Sequence, residues 1–240
     1  MAICITFDTD HMSESNLTRW LDSQPIHGEC TFFCGQVYDV LQTTRHEIAP
    51  HPFFATNLGQ TEILKSYRDL FPDAVSWRSH SLVFSQSICV ELQRLGYRNV
   101  SISERYADLD AQPIKLPWGP TDFGIYYMDN SDFCNFNEAK DENWKRFDRG
   151  MLVQLFETRR AQGEEYVYVF DFHPIHLALN TPSYDAYVSE RYSYEANGQV
   201  SRMAAKRRGA RTYFDELLEL MRAHGVSSRS ISDVSRTRRA

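Results

Sequence analysis

The alternation of short apolar runs with amphipathic segments, repeated about seven times, is the feature that most constrains the fold of this chain. Runs such as residues 2–8 (AICITFD) and 165–172 (EYVYVFDF) have the composition of buried strands, and segments such as residues 85–96 are typical of helices that end at a glycine. Alternating strands and helices with short connections predict parallel strands joined by helical crossovers. We therefore predict an α/β barrel. An open doubly wound sheet is the alternative, although no GxGxxG loop accompanies the alternation.

Two segments depart from this regular alternation. Residues 180–211 form a long stretch with four tyrosines, which we expect to be a lid or binding loop, or else a mobile surface loop. Residues 227–240 are polar and basic, and we expect a flexible tail there. Residues 1–226 are accordingly predicted to form a single domain, with its sixth strand at residues 113–118 and a long helix at residues 142–163.

The composition argues against several classes of protein. The 240 residues carry a net charge of −6, whereas a general nucleic-acid binder needs a basic excess, so no nucleic-acid partner is expected. The first residues have neither a basic start nor a long apolar run, so we expect a cytoplasmic protein with no stable membrane insertion. The five scattered cysteines include no CxxC pair and are predicted to be reduced, buried thiols. The sequence carries no signal for the oligomeric state.

Polar residues with catalytic or metal-binding side chains follow the predicted strands at the point where each strand ends. They are Asp8 and Asp10 after strand one, His51 after strand three, Arg78 and His80 at strand four, Trp118 and Asp122 after strand six, and His173 and His176 after strand seven. In parallel barrels the active site is built at the carboxyl ends of the strands. We therefore expect these side chains to converge on one mouth.

Asp10, His51 and His80 form a candidate metal site. A catalytic zinc takes three protein ligands with nitrogen or oxygen donors and leaves one position open, and these residues offer two imidazoles and one carboxylate. Asp8, two residues before Asp10, could act as a base beside the metal. Each residue also has a purely structural interpretation, because aspartates often occupy helix caps and turns and histidines at strand ends are commonly hydrogen-bonded.

His173 and His176 lie in the string FDFHPIH, directly after a strand that is nearly all apolar. Ionisable groups at a buried strand end favour a functional role. Two alternatives are open at this point. Both histidines could be metal ligands, in competition with the site above, or both could lie in a solvent-exposed loop.

Five strings resemble, in order, the motifs of the polysaccharide deacetylases of carbohydrate esterase family 4. They are CITFDTD, CTFFCG, HEIAPHP, SWRSHSL and FDFHP, and the resemblance extends roughly over residues 3–180. The RSHSL and FHPIH strings are similar to a divergent branch of that family associated with bacterial O-antigen gene clusters. The resemblance implies a distorted (β/α)7 barrel and metal-dependent hydrolysis of an N-acyl amide on a sugar.

By this resemblance Asp8 corresponds to the general base of the family, Asp10 to its metal-binding aspartate and His51 to its first metal-binding histidine. The family's second metal-binding histidine falls on Ala55, so the sequence departs from the pattern there. His80 stands where the family has a proline in its arginine-containing motif. We infer that His80 replaces the missing ligand from the neighbouring strand.

Arg78 corresponds to the arginine of that motif, and it would either hold Asp8 charged or bind a carboxylate or phosphate of the substrate. His173 corresponds to the general acid, and we expect Asp171 or Asp122 to keep it protonated. The substrate-binding residues are expected to be Arg78, Trp118, Asp122 and His176.

The predicted function is the metal-dependent removal of an N-acetyl or other N-acyl group from an amino sugar or saccharide precursor in surface polysaccharide biosynthesis. One divalent metal ion, zinc, is the expected cofactor, and the saccharide could be nucleotide-linked or lipid-linked. Two alternatives are open. The chain could be a barrel amidohydrolase acting on a non-sugar amide, or a metal-free saccharide-binding protein.

Overall fold

A computed structural model describes most of the chain, and it has an α/β architecture. The described residues are 1–24, 26–54, 58–105, 110–129, 149–159, 165–200 and 208–238. In this part of the chain the strands are β1 (Ala2–Asp8), β2 (Thr31–Cys34), β3 (Glu47–Pro50), β4 (Ser76–Trp77), β5 (Asn99–Val100), β6 (Ile114–Lys115), β7 (Thr121–Asp122), β8 (Ile125–Tyr127) and β9 (Val167–Phe172). The helices are α1 (Glu14–Ser23), α2 (Asp39–Gln42), α3 (Gln60–Leu70), α4 (Gln86–Arg94), α5 (Arg149–Arg159), α6 (Pro174–Leu179), α7 (Tyr184–Asn197), α8 (Ala210–Ala223) and α9 (Ile231–Thr237). None of these helices is long and apolar enough to cross a membrane.

The strands are arranged in two sheets that adjoin each other. One sheet has the order β3-β2-β1-β9-β8 and the other the order β4-β5-β7-β6, with β6 antiparallel to β7. Backbone hydrogen bonds join the sheets at both edges. Arg78 N donates to the Pro50 carbonyl beside β3 (3.3 Å), and Arg105 N donates to the Ile125 carbonyl of β8 (2.7 Å). The strands therefore follow one another around a distorted barrel, and the predicted fold class is confirmed.

Strands β1 and β9 lie side by side at the centre, and both are buried along their whole length. Successive side chains of a strand point to opposite faces. In β1, Ile5 and Phe7 belong to the large core between strands and helices, whereas Ala2 and Cys4 belong to a smaller core inside the barrel. Because Asp8 has the same parity as Ala2 and Cys4, its side chain points into the barrel at the end where the strands terminate.

The sixth strand position of the barrel is not where the sequence predicted it. Residues 113–118 contain the short and exposed strand β6, whereas β7 and β8 lie between β5 and β9. Gly124 separates β7 from β8, and a Cβ at this position would come within 2.2 Å of Arg105 Nε. The prediction was wrong because the string TDFGIYY is interrupted by this glycine and lacks the continuous apolar run of a buried strand.

One of the two remaining helical regions agrees with expectation in its described part, and the other differs. The helix predicted at residues 142–163 is seen as α5, and the other residues of that prediction lie outside the described part of the chain. The segment 180–211, predicted to be a loop, contains the 14-residue helix α7. The buried residues of α7 are Tyr187 and Tyr194. The apolar face is therefore too narrow to give the repeating pattern of apolar residues from which a helix is predicted.

The cysteines of the described residues agree with the prediction of reduced thiols. Cys4, Cys30, Cys34 and Cys89 are free and buried. Cys134 lies outside the described residues.

The C-terminal segment closes the end of the barrel at which the parallel strands begin, whereas the sequence predicted a flexible tail at residues 227–240. Helix α9 buries Ile231 and Val234 in the core inside the barrel. The Ser228 hydroxyl accepts a hydrogen bond from a backbone N–H of β1 (2.9 Å), and a Cβ at Gly28 would come within 2.2 Å of the Ser228 carbonyl oxygen. The prediction was wrong because two apolar residues in a polar stretch give no periodic signal.

Replacement of Ile231 by alanine should lower the free energy of unfolding by about 2–5 kcal/mol, because the side chain is 0% exposed and its loss leaves a cavity. Chemical denaturation followed by circular dichroism measures the change. Arg236→Ala is the control, since the Arg236 side chain is 75% exposed and should contribute less than about 0.5 kcal/mol. Equal stabilities of Ile231→Ala and wild type would mean that the segment does not pack in solution.

Candidate active site

Strand β1 brings two carboxylates to the barrel mouth, by which we mean the end at which the parallel strands terminate. Asp8 is the last residue of β1 and is 1% exposed, and Asp10 lies in the turn that follows. Thr9 N donates a hydrogen bond to the Phe33 carbonyl of β2 (3.0 Å), so strand pairing continues to this point. The two carboxylates are therefore attached to a rigid part of the barrel.

Asp10, His51 and His80 come together at the mouth. Asp10 Oδ2 lies 2.8 Å from His80 Nδ1 and 3.5 Å from His51 Nε2, and one ligand atom from each residue lies within 4.8 Å of the others. His51 follows β3, and its Nδ1 contacts the Arg78 carbonyl (3.1 Å). Because a carbonyl only accepts, Nδ1 carries the proton and the lone pair of neutral His51 is on Nε2, towards Asp10.

Charge within this group is strongly coupled. Burial alone would raise the pKa of Asp10, but His51 and His80 hold it well below its usual range. Burial alone would lower the pKa of His51, but Asp8 and Asp10 raise it. A cation bound among these groups would replace the proton that His51 otherwise attracts.

The donor set fits a catalytic zinc ion. Two imidazole nitrogens and one carboxylate oxygen are the donors that such ions take, and the fourth position would be open to water or substrate. A cavity of about 670 Å³ adjoins the three residues, and its lining includes Gln36, Phe53 and Tyr67. Ala55, the position of the absent family histidine, lies outside the described residues.

Arg78 lies inside the barrel and does not reach the substrate side of the mouth. Its side chain is 0% exposed and its guanidinium lies 4.1 Å from the centre of the Phe33 ring. Nη1 donates to Asp8 Oδ1 (2.8 Å) and to Asp171, and Nη2 donates to the Ser101 hydroxyl (2.8 Å). Arg78 is therefore not placed to meet a substrate at the mouth, and its guanidinium pairs with Asp8 instead.

Asp8, Asp171 and His173 form a second group with metal-ligand spacing. The guanidinium of Arg78 pairs with both Asp8 and Asp171. A fixed positive charge thus already occupies the place between these carboxylates, so we do not assign a metal ion to this group.

His173 follows β9 and is paired with Asp129, which the sequence analysis did not identify. His173 Nδ1 lies 3.0 Å from Asp129 Oδ1, and the His173 backbone N–H donates to the other carboxylate oxygen. Burial alone would lower the pKa of His173, but Asp129 raises it to about 10. The expectation that Asp171 or Asp122 pairs with His173 is therefore corrected. Asp129 follows the apolar run of β8, so the rule that selected the other strand-end residues could have found it.

His176 lies in α6, one turn from His173, and is buried rather than exposed in a loop. Its Nδ1 lies 3.2 Å from the Thr181 hydroxyl, and its ring centre lies 5.4 Å from that of His173 and 4.5 Å from that of Tyr187. Burial, and then the charge on His173, hold the pKa of His176 well below its ordinary value. His176 is thus a neutral imidazole beside the cationic His173, and it belongs to neither group with metal-ligand spacing.

The two remaining sequence-predicted residues lie outside the groups of side chains described above. Asp122 is buried, and its carboxylate accepts hydrogen bonds from Ile102 N (3.1 Å) and the Ser103 hydroxyl, so it stabilises the end of β5. Trp118 is 41% exposed in the turn that precedes β7. That turn is at the opposite end of the barrel, where parallel strands begin. Neither residue is placed to bind a substrate at the mouth.

The mouth of this distorted parallel barrel thus carries an Asp-His-His group beside a buried aspartate and an Asp-paired histidine. The family model of WbmS-like polysaccharide deacetylases matches residues 5–191. The chain therefore belongs to this family, whose reaction class is hydrolytic deacetylation.

The chain is also similar to several solved structures. A candidate polysaccharide deacetylase involved in O-antigen biosynthesis, from Bordetella bronchiseptica, is 25% identical with a TM-score of 0.69, covering 90% of this chain and 89% of that chain. A candidate polysaccharide deacetylase from Mycobacterium smegmatis is 16% identical (TM-score 0.45, 96% and 93% covered). Peptidoglycan deacetylase PdaC from Bacillus subtilis is 13% identical (TM-score 0.42, 99% and 91% covered). No curated protein matches the sequence.

Replacing Asp129 with asparagine should lower the pKa of His173 from about 10 by about 1 to 3 pH units, because the carboxylate that favours the imidazolium is removed. The chemical shift of the His173 ring proton, followed by NMR against pH, measures this change. Asp69→Asn, on the exposed face of α3, is the control. An unchanged titration of His173 in Asp129→Asn would contradict the pairing.

The same pair makes stability depend on pH with a definite sign. The pKa of His173 is higher in the folded chain than the value of about 6.5 for an unfolded histidine. Its contribution to folding should therefore be complete below about pH 6.5 and should be lost as the pH rises through about 10. In Asp129→Asn the free energy of unfolding should depend less on pH across this range. Chemical denaturation at a series of pH values measures the difference.

Proposed function

We propose that this chain is a metal-dependent N-deacetylase of amino sugars, with Asp10, His51 and His80 as the metal ligands. The observation that carries this proposal is the distance of 2.8 Å between His80 Nδ1 and Asp10 Oδ2. His80 thus supplies an imidazole to the group although the family's second histidine is replaced by Ala55. In this scheme His51 binds through Nε2 and His80 through Nδ1.

The bound metal ion would polarise the carbonyl of the N-acyl group and lower the pKa of a water molecule. Asp8 is the base that takes a proton from this water, since its Oδ2 lies 3.6 Å from His51 Nε2, next to the metal-binding group. Arg78 pairs with Asp8 and orients its carboxylate through Nη1. A base that was protonated at neutral pH would not function, so this buried ion pair is part of the catalytic arrangement.

His173 is the general acid in this scheme. The water oxygen, which has lost a proton to Asp8, bonds to the acyl carbon and forms a tetrahedral species. This species collapses by expelling the sugar amine, which needs a proton as its bond to the acyl carbon breaks. His173 carries that proton at neutral pH because Asp129 raises its pKa to about 10. The products are the free carboxylic acid and the amino sugar.

The substrate we propose is an amino sugar or saccharide precursor of a surface polysaccharide, whether nucleotide-linked or lipid-linked. The support is the 25% identity to the Bordetella bronchiseptica protein, which is described as involved in O-antigen biosynthesis. Retention of both the base and the paired acid favours this over a metal-free saccharide-binding protein. The cytoplasmic location expected from the sequence stays a prediction.

Purified wild-type protein incubated with zinc and dialysed should retain about one zinc ion per chain, the number one Asp-His-His centre holds. His80→Ala should lose most of this zinc, because two ligands remain. Elemental analysis by plasma mass spectrometry gives the ratio. His27→Ala, which removes an exposed histidine, is the control and should keep its zinc. Full zinc content in His80→Ala would remove His80 from the ligand set.

Asp8→Asn should reduce acetate release from N-acetylated saccharides by about 10²–10⁴-fold, because the base is lost. Zinc content should stay near that of the wild type, since Asp8 is not a proposed ligand. Enzymatic detection of acetate measures the rate, and Asp69→Asn is the matched control. Undiminished acetate release by Asp8→Asn would assign the base to another group.

A further inference from the structure

Helix α7 contacts both halves of the proposed active site. On the metal side, Glu195 Oε1 lies 3.4 Å from Nδ1 of His11, the residue after Asp10, and the rings of Tyr187 and His11 are 6.4 Å apart. On the acid side, the Tyr187 ring centre lies 4.5 Å from that of His176. The helix therefore lies against His11, next to the metal-binding group, and against His176, next to His173.

The same helix leaves a row of apolar side chains exposed. Tyr184, Val188 and Tyr192 are spaced four residues apart, so they lie on one face of α7, and they are 51%, 38% and 61% exposed. This face is next to the one that carries Tyr187, because Tyr184 and Tyr187 are one turn apart and their ring centres lie 6.5 Å from each other. A row of ring contacts thus extends from His173 through His176 and Tyr187 to the exposed Tyr184.

Arg191 lies between the buried and the exposed tyrosines. Its guanidinium carbon is 5.4 Å from the centre of the Tyr187 ring and 4.5 Å from that of Tyr192, and Nη2 donates to the Tyr192 hydroxyl (2.6 Å). The guanidinium thus connects the exposed Tyr192 ring to the buried Tyr187 ring. Flat rings held with one face open suit a partner that is itself flat and partly apolar.

We propose that Tyr184, Arg191 and Tyr192 bind the sugar rings attached to the acylated sugar, so that the preferred substrate is an oligosaccharide. The inference rests on the deacetylase function proposed above. A pyranose ring has an apolar C–H face that stacks on tyrosine, and hydroxyl groups at its edge that accept from a guanidinium and donate to tyrosine oxygens.

The charge of α7 favours a neutral saccharide over a phosphate-bearing group at this surface. The helix carries three carboxylates, Asp185, Glu190 and Glu195, against the single guanidinium of Arg191. A diphosphate would meet net repulsion here. The Arg191 guanidinium also contacts the rings of Tyr187 and Tyr192. Held in this way, it can donate hydrogen bonds to the hydroxyl groups of a sugar.

The test compares zinc-loaded wild type with the double variant Tyr184→Ala/Tyr192→Ala. Isothermal titration calorimetry gives Kd for three probes, N-acetylglucosamine, its β1,4-linked tetramer and UDP-N-acetylglucosamine. We expect the wild type to bind the tetramer at least tenfold more tightly than the monosaccharide. The double variant should lose this preference and keep its affinity for the monosaccharide. Leu70→Ala, which removes an exposed apolar side chain elsewhere, is the control and should bind as wild type.

Three outcomes would overturn the proposal. They are equal wild-type affinity for monosaccharide and tetramer, a loss in the double variant confined to the UDP-linked sugar, and no binding of any probe. Acetate release is measured on the same samples. Tetramer binding that depends on the two tyrosines, without acetate release, would support the surface and contradict the deacetylase. Acetate release that is independent of chain length would support the deacetylase and contradict the proposed role of the surface.

Discussion

The buried guanidinium of Arg78 is the interaction on which the arrangement of the site depends. A charge with no solvent exposure is stable only when opposite charges and hydrogen bonds surround it. Asp8 and Asp171, from the two central strands, supply the charges. The Arg78 carbonyl in turn contacts His51 Nδ1 and directs the other ring nitrogen towards Asp10. One residue therefore connects the proposed base, the metal-binding group and the strand that carries His173.

The neighbouring His173 and His176 show how position alone gives identical side chains different charge states. His173 has the Asp129 carboxylate beside it and is cationic at neutral pH. His176 has the Thr181 hydroxyl and aromatic surface beside it, and burial keeps it neutral. The surroundings shift the pKa values of the two histidines in opposite directions. The site therefore has one imidazolium that can donate a proton and one neutral imidazole at the same pH.

Much of the candidate site could be predicted because its residues follow strands. Asp8, Asp10, His51 and His173 each come directly after an apolar run, and parallel strands end at the same side of a barrel. Asp129 satisfies the same rule but follows β8, a strand that Gly124 separates from β7. The errors at Trp118 and Asp122 have the same origin, since the sixth strand was placed too early in the chain.

The sequence by itself determined the parallel barrel and the family, and it pointed to Asp8, Asp10, His51, His80 and His173, because these depend on local periodicity and on motif order. Only the tertiary structure decided which partner each side chain has. Arg78 became an internal cation, Asp129 the partner of His173 and Ile231 part of the barrel core. Such pairings join residues far apart in the chain, and they follow from strand register and burial, which no local pattern records.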